Sequence, residues 1–392
     1  MAASEPLSRR SPKCLQVGFE ISPKSGGTYT NVVDFATAFE HLGWGVDQLN
    51  FTRAAPTPGA RDSYAISQWP VLKHCNFSWD ALAKQTHCAI HDSDLVLVHG
   101  FYFHAGVAVA AYAQRVGVPV VIVAHGGLDP WVFSYRKWWK LCWLWAYRQV
   151  LFSSPTVIIF ATERERAKAT RFLKGARSAV LNWPVAARPE YDKTVAKKRL
   201  RERFGLSPDA KVLLFCGRVH RMKRPLETAQ AFLGADLPKW VLLIVGPVDR
   251  DVDNRDLREL CDGSKQRCIL AGAQFGSELS ECYGGADAFV LLSHRENFGY
   301  TVAEAASYGL PVLISSGVDL FPAVVEHGAG VAVLEETPDA FTRALTQFCI
   351  RADEDLLEMG RRGRFWVAKN LSRSSFECGL GNLVAEHVLG RG

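Results

Sequence analysis

Two carboxylates, Glu296 and Glu304, stand in the stretch HRENFGYTVAEAASYGLP at residues 294–311. Carboxylate oxygens accept hydrogen bonds from vicinal hydroxyls, and a ribose or hexose ring presents such pairs. Two cations stand upstream in VLLFCGRVHRMKRPLETAQAF, where Arg218 and Lys223 follow an apolar run ending at Gly217. Pro225 suits the first position of the helix after them. A guanidinium and an ammonium converging near a helix start can neutralise a diphosphate. Taken alone, that loop reads first as a solvated basic turn. Asn297, Phe298 and Gly299 bring backbone N–H groups to the start of the helix carrying Glu304, a ready anion site. The acids would then flank the phosphates rather than face them.

These side chains need elements to hold them. In the second half, apolar β-branched runs fall at 211–217, 240–246, 268–270, 288–293, 311–315 and 330–333. In the first half they fall at 14–19, 45–51, 94–100, 119–125, 156–160 and 179–182. Runs this apolar predict strands buried on both faces of parallel sheets. Alternation with helix-period segments predicts right-handed crossovers and doubly wound sheets, an α/β chain. Open sheets of this kind bind ligands at the carboxyl ends of their strands. Arg218, Lys223 and Glu296 all follow such ends. At 392 residues with 48% hydrophobic content, the chain suits two domains rather than one core. The joint falls near 182–199, rich in proline and charge with no strand pattern.

On these residues the chain resembles the retaining GT-B glycosyltransferases, in particular glycosyltransferase family four. ENFGYTVAEA matches that family's pair of glutamates spaced by seven residues, and Gly217-Arg218 with Lys223 matches its phosphate loop. LLIVGP and ADAFVLLS are similar as well. The resemblance implies two Rossmann-like domains facing a cleft. Residues 1–190 would be the acceptor side and 191–372 the nucleotide-sugar side, with a helix over about 373–392 packing back on the first. It implies that Glu296 contacts the transferred sugar and Glu304 the ribose, while Arg218 and Lys223 hold the diphosphate. Arg224 departs from the family's usual glycine; it would add a phosphate contact or point to solvent.

In the first half, Gly26 and Gly27 form a turn before a helix over 29–42; a glycine pair is ordinarily only a turn, and the resemblance implies an approach to the donor phosphates. PVVIVAHGGLDPW ends a strand at His125, with Gly126 and Gly127 allowing close approach. A lone histidine is more often structural; the resemblance implies sugar contact or transition-state support here. Asp129 and Trp131 are acceptor-side candidates, Asp129 with the alternative role of a helix cap.

The segment 131–152 holds five of the eleven tryptophans together with Arg136, Lys137, Lys140 and Arg148. That mixture suits peripheral membrane contact or a lipid-linked acceptor. The basic residues gather at one end, which favours a helix packed into the first domain with a solvated basic end.

A net charge of +6 suits an anionic ligand and does not by itself indicate a nucleic-acid partner. Ten scattered cysteines without zinc spacing read as reduced thiols of a cytoplasmic protein, at the inner membrane face if 131–152 makes contact. Asp92-Ser93-Asp94 and Asp251-Val252-Asp253 imitate a metal motif, but one precedes its strand and the other sits in a polar loop. No cofactor and no metal are expected, since a basic loop and helix start can do the metal's work. The expected activity is transfer of a hexose-type sugar from a nucleotide-diphosphate sugar to a saccharide or lipid-linked acceptor. The alternatives are a nucleotide-sugar epimerase on the same fold and a non-catalytic sugar-nucleotide binding protein. A dehydrogenase lacks support, because no Gly-x-Gly-x-x-Gly turn with a following ribose acid is present.

Overall fold

The computed structural model describes residues 10–19, 27–51, 62–65, 84–153, 156–173, 175–186, 192–248, 254–265, 267–388 and 390. They form two compact units, one of 1–183 with 374–392 and the other of 184–373.

The first unit carries β1 (Lys13–Gly18), β2 (Gly45–Asn50), β3 (Asp62–Ala65), β4 (Leu95–His99), β5 (Val120–Val123), β6 (Thr156–Phe160) and β7 (Arg177–Val180). They pair in parallel in the order β3-β2-β1-β4-β5-β6-β7. β4, β5 and β6 are buried at every position, as their unbroken apolar runs require. The sequence passed over β3, because DSYA has no apolar run. It also placed β7 at 179–182 instead of Arg177–Val180, where an arginine opens the strand.

The second unit carries β8 (Lys211–Cys216), β9 (Trp240–Val245), β10 (Cys268–Gly272), β11 (Ala288–Leu291), β12 (Val312–Ser315) and β13 (Gly330–Val333). This sheet is also parallel, in the order β10-β9-β8-β11-β12-β13. Fully buried phenylalanines anchor both units: Phe35, Phe39 and Phe160 in the first, Phe215, Phe232 and Phe289 in the second. Each contributes roughly 1.5–3 kcal/mol by burial.

The strand order reverses between β1 and β4 in one sheet and between β8 and β11 in the other, opening a crevice at the carboxyl ends. The division between units falls at Trp183/Pro184 rather than after residue 190. Val185 N–H donates to Leu371 O at 2.7 Å, tying residues 184–186 to the second unit. The helix Arg373–His387 lies on the first unit, with Phe376 edge-on to Phe35 at 5.1 Å.

Candidate active site

In the second unit, β8 runs into Gly217, whose φ of +148° is one that side chains rarely adopt. A Cβ there would meet Lys223 Cδ at 3.0 Å and Nζ at 3.2 Å. Glycine therefore lets the lysine lie across the strand end. A 3-10 turn, Arg221–Lys223, delivers Lys223, with His220 Nδ1 accepting from Met222 N–H at 3.1 Å to start it. Beyond β11, Lys223 Nζ meets Glu296 Oε1 at 2.5 Å, and Ser293 Oγ donates to the same oxygen at 3.3 Å. The Glu296 backbone is fixed on both sides: its N–H donates to Gly317 O at 2.9 Å, and its carbonyl accepts from Asp319 N–H at 3.0 Å. Arg218, Lys223 and Glu296 line one cavity of about 150 Å³ with His220, Met222, Arg295 and Asn297. This cavity stands at the β8/β11 switch point. Asn297 Oδ1 accepts from Arg295 Nη2 at 2.7 Å. The Phe298 ring is buried, edge-on to Tyr300, so its side chain serves packing; what it can offer a ligand is backbone. Gly299 caps the helix Tyr300–Ser307 in the left-handed region, and a Cβ there would strike Val318 at 2.8 Å.

Glu304 is not among the residues lining that cavity. It stands alongside, where Tyr283 Oη donates to Glu304 Oε2 at 2.9 Å. Tyr283 is fully buried, and burial, with Cys216 and Glu304 beside it, pushes its hydroxyl well above the ordinary range. It is therefore a neutral donor. Between the groups lies the Cys216 thiol, pushed up to about 12 by burial, with Tyr283 and Lys223 pulling down and Glu304 pushing up. Sequence reasoning missed Tyr283; ECYGGAD carries no spacing that ties it to Glu304.

Arg224 corrects both readings offered for it. Its side chain neither reaches the cavity nor points to solvent: it is buried, over the Phe341 ring at 5.2 Å. Its guanidinium bonds Glu336 Oε2 at 2.7 Å, Leu292 O at 3.4 Å and His294 Nδ1. Its φ is +53°, so the position favours glycine. Here an arginine accepts that strain and ties together the turns that follow β8, β11 and β13. His294 N–H donating to Met222 O at 2.8 Å completes the joint.

In the first unit, His125 follows β5 with φ +45°, a strained value for a non-glycine residue. Its Nε2 lies 3.0 Å from His99 Nδ1, and His99 Nε2 lies 2.8 Å from Gln16 Oε1. Gln16 Nε2 donates to Val32 O at 3.3 Å, so its oxygen faces His99. The donor sense follows: His99 Nε2–H donates to Gln16, and His125 Nε2–H donates to His99 Nδ1. That leaves Nδ1 as the acceptor of a neutral His125. Burial pushes His125 down to about 4, and pushes His99 well down with His125 adding to it, so both rings stay neutral near pH 7. Gln16 and His99 were missed by sequence reasoning, although each is a polar residue inside an apolar strand run. Asp129 caps the 3-10 helix Pro130–Ser134, with Oδ1 accepting from Trp131 N–H at 2.9 Å, and it pairs with Lys168 at 3.0 Å. Trp131 is exposed. Gly27 opens the helix Gly27–His41; Gly26 lies outside the described residues.

The segment 131–152 is packed into the first unit through Phe133, Trp143, Leu144 and Leu151, but the expectation of one basic end is corrected. Of its five tryptophans only Trp143 is buried, and Arg148 stands beyond the opposite end of the helix Lys137–Ala146 from Lys137. Asp94 Oδ2 accepts from Lys13 N–H at 2.8 Å, a fold contact; Asp251 and Asp253 lie outside the described residues. Among the described residues, no three His, Cys, Asp or Glu side chains gather as metal ligands would. A larger cavity in the second unit, about 700 Å³, opens near the strand starts among Lys197, Arg201, Lys211 and Trp240. Of its cations, Lys197 and Arg201 pair with Asp287 and Lys211 with Asp353. Its place at the strand starts, rather than its volume, decides against it, because open parallel sheets take ligands at the carboxyl ends, where the smaller cavity lies.

Comparison with known proteins bears on this geometry. The family model described as glycosyl transferases group 1 matches residues 196–365, and the model for glycosyltransferase family 4 matches 25–184. The D-inositol 3-phosphate glycosyltransferase of Xylanimonas cellulosilytica is 34% identical over 173 residues, 43% of this chain and 39% of that protein. The match thus spans about two fifths of that relative's length. The GDP-mannose:cellobiosyl-diphosphopolyprenol alpha-mannosyltransferase of Xanthomonas oryzae pv. oryzae is 25% identical, covering 70% of this chain and 69% of that protein. Among solved structures, HepE from Anabaena, in complex with UDP and glucose, superposes with a TM-score of 0.73 at 16% identity, covering 95% of this chain and 99% of that one. Sucrose-phosphate synthase from Thermosynechococcus elongatus gives 0.76 at 20% identity, covering 97% and 100%. At these identities the structural likeness concerns the fold, which is GT-B.

Proposed function

Because the chain belongs to the glycosyl transferases group 1 and glycosyltransferase family 4, we propose that it moves a hexose-type sugar from a nucleotide-diphosphate sugar to a hydroxyl of a saccharide or lipid-linked acceptor. The observation that carries this reading is the Lys223–Glu296 contact at 2.5 Å, inside a cavity that Arg218 also lines. An ammonium and a guanidinium beside a carboxylate suit a ligand with phosphate at one end and hydroxyls at the other. One relative supports the substrate classes: the Xanthomonas oryzae pv. oryzae alpha-mannosyltransferase is named for GDP-mannose and a diphosphopolyprenol-linked acceptor.

The mechanism follows from these groups. Arg218 and Lys223 hold the diphosphate and stabilise the charge that grows as it leaves. Glu296 accepts from hydroxyls of the transferred sugar. Glu304, with one oxygen held by Tyr283, takes the ribose. His125, by the family resemblance, contacts the transferred sugar as a neutral imidazole. Transfer retains configuration: the bond from the anomeric carbon to the diphosphate breaks, and the acceptor oxygen bonds that carbon on the same face. The acceptor proton passes to the departing phosphate oxygen, giving a nucleoside diphosphate. The cations do the work a metal would do, so EDTA leaves turnover intact; loss restored by a divalent ion would contradict this. Assembly of surface polysaccharide or another glycan is the setting we assign.

A thermal-shift screen of nucleotide-diphosphate sugars, followed by product analysis with acceptors, tests the reading. A ligand that binds only the folded state raises the melting temperature. Nucleoside diphosphate should appear in quantity only with an acceptor. Release of an epimerised donor without acceptor would favour an epimerase, and binding without any turnover a non-catalytic protein.

A further inference from the structure

Beyond Trp131, the segment 131–152 supplies no group to the mechanism proposed above, yet it carries a concentration of exposed aromatic surface in the first unit. Trp138 is 75% exposed, Trp145 70% and Tyr135 65%. Trp138 and Trp145 are seven residues apart on the helix Lys137–Ala146, hence on one face. Trp143 and Leu144 are buried on that helix and fix it to the core, with Trp143 Nε1–H donating to Phe101 O at 3.1 Å. The exposed face is thus held outward by a packed inner face. Cations decorate it: Lys137 lies 5.7 Å from the Trp138 ring centre, Arg148 5.1 Å from Trp145, and Arg136 5.2 Å from Tyr135. Residues 131–152 contain no aspartate or glutamate. Beside the helix, Leu141, Leu144, Trp145 and Phe152 line a groove of about 430 Å³ with Arg148 and Arg171.

We infer that this face docks the protein on an anionic lipid bilayer. Indole rings suit the depth where headgroups meet acyl chains, and cations beside them meet anionic headgroups. The helix has ten residues, so it lies in the interface rather than crossing. Among the described residues, no helix is long and apolar enough to cross a membrane. A second copy of the chain is a poorer occupant: two-fold pairing of this face would set its cations against their own copies with no acid between them.

Flotation of the full chain with phosphatidylcholine vesicles, with and without phosphatidylglycerol, tests this, together with tryptophan quenching by brominated lipid. The expected result is binding to the anionic vesicles at least about tenfold stronger than to the neutral ones, with indole emission quenched. Trp138→Ala with Trp145→Ala should remove most of the quenching, since Trp131 and Trp139 are only about half exposed. Lys137→Gln with Arg148→Gln should weaken binding roughly thirtyfold. All four positions are exposed, so melting temperatures should be unchanged. No binding at low salt would overturn the inference. So would binding without quenching, or sedimentation showing a dimer that the tryptophan variants dissolve.

Discussion

The two sheets share one wiring, a parallel order that reverses once, yet their switch points carry opposite chemistry. In the second unit the crevice between β8 and β11 holds full charges, Lys223 against Glu296 with Arg218 lining the same cavity. In the first unit the strands on either side of the reversal, β1 and β4, carry Gln16 and His99, and His125 follows β5 next door. All three are neutral and bonded in series. Fold alone therefore does not set the character of a crevice; the few polar residues placed at strand ends do. A charged crevice suits an ion that brings its own opposite charge. A buried, uncharged relay suits a group that must be oriented without electrostatic force.

The hardest blow to this contrast is Glu296→Gln. It removes the charge but keeps the shape, and turnover should fall about 10²–10³-fold with little change in melting temperature. Near-normal steady-state rates in that variant would remove the charged half of the comparison.

The neutral half is tested by acid. His125 sits at about 4 in the fold against an ordinary 6.5. The unfolded chain therefore binds the extra proton as pH falls between those values, and the folded chain does not. Stability is fully present above about 6.5 and declines toward pH 4, by on the order of 1–3 kcal/mol. Thermal melts across that range should show the fall, and His125→Gln should make it shallower, leaving the part due to His99. A melting temperature that held constant down to pH 4 would mean the relay is not neutral.

Arg224→Gly sets two effects against each other. Glycine relieves left-handed strain of about 1 kcal/mol. It also removes the guanidinium that joins the turns after β8, β11 and β13, with Glu336 about a third exposed. A net loss of about 1–2 kcal/mol is expected, read by urea unfolding; a gain in stability would show that the joint is dispensable. The mildest change is Tyr283→Phe, which deletes the hydroxyl that orients Glu304. The donor KM should rise roughly tenfold with kcat nearly unchanged. An unaltered KM would separate Glu304 from donor binding.

Much of this was legible because buried parallel strands write themselves as apolar runs, and the charged site sits just after two of them. Lys223 and Glu296 were singled out that way, and the fold brings them into one cavity. What escaped depends on contacts between residues distant in sequence. Tyr283 and Glu304 meet only when a helix end and a helix centre are folded together. The neutral relay escaped because Gln16 and His99 look like minor interruptions of strands; their meaning appears only when β1 and β4 are neighbours. Arg224 was misread because charge on a loop suggests solvent, and nothing local tells that Phe341 and Glu336 cover it. The tryptophan segment was half legible: its packing through Trp143 and Leu144 was expected, but the basic residues were taken to gather at one end, and the exposed tryptophans that they flank escaped notice.

The contact between Lys223 and Glu296 makes the site an interlock. While the ammonium holds the carboxylate, neither group is at liberty for a ligand. On the function proposed above, an incoming diphosphate would compete for the lysine and, by drawing it off, release the glutamate. If the proposed function holds, a donor carrying the phosphates would thus open the latch on arrival, whereas a free sugar would find it still closed.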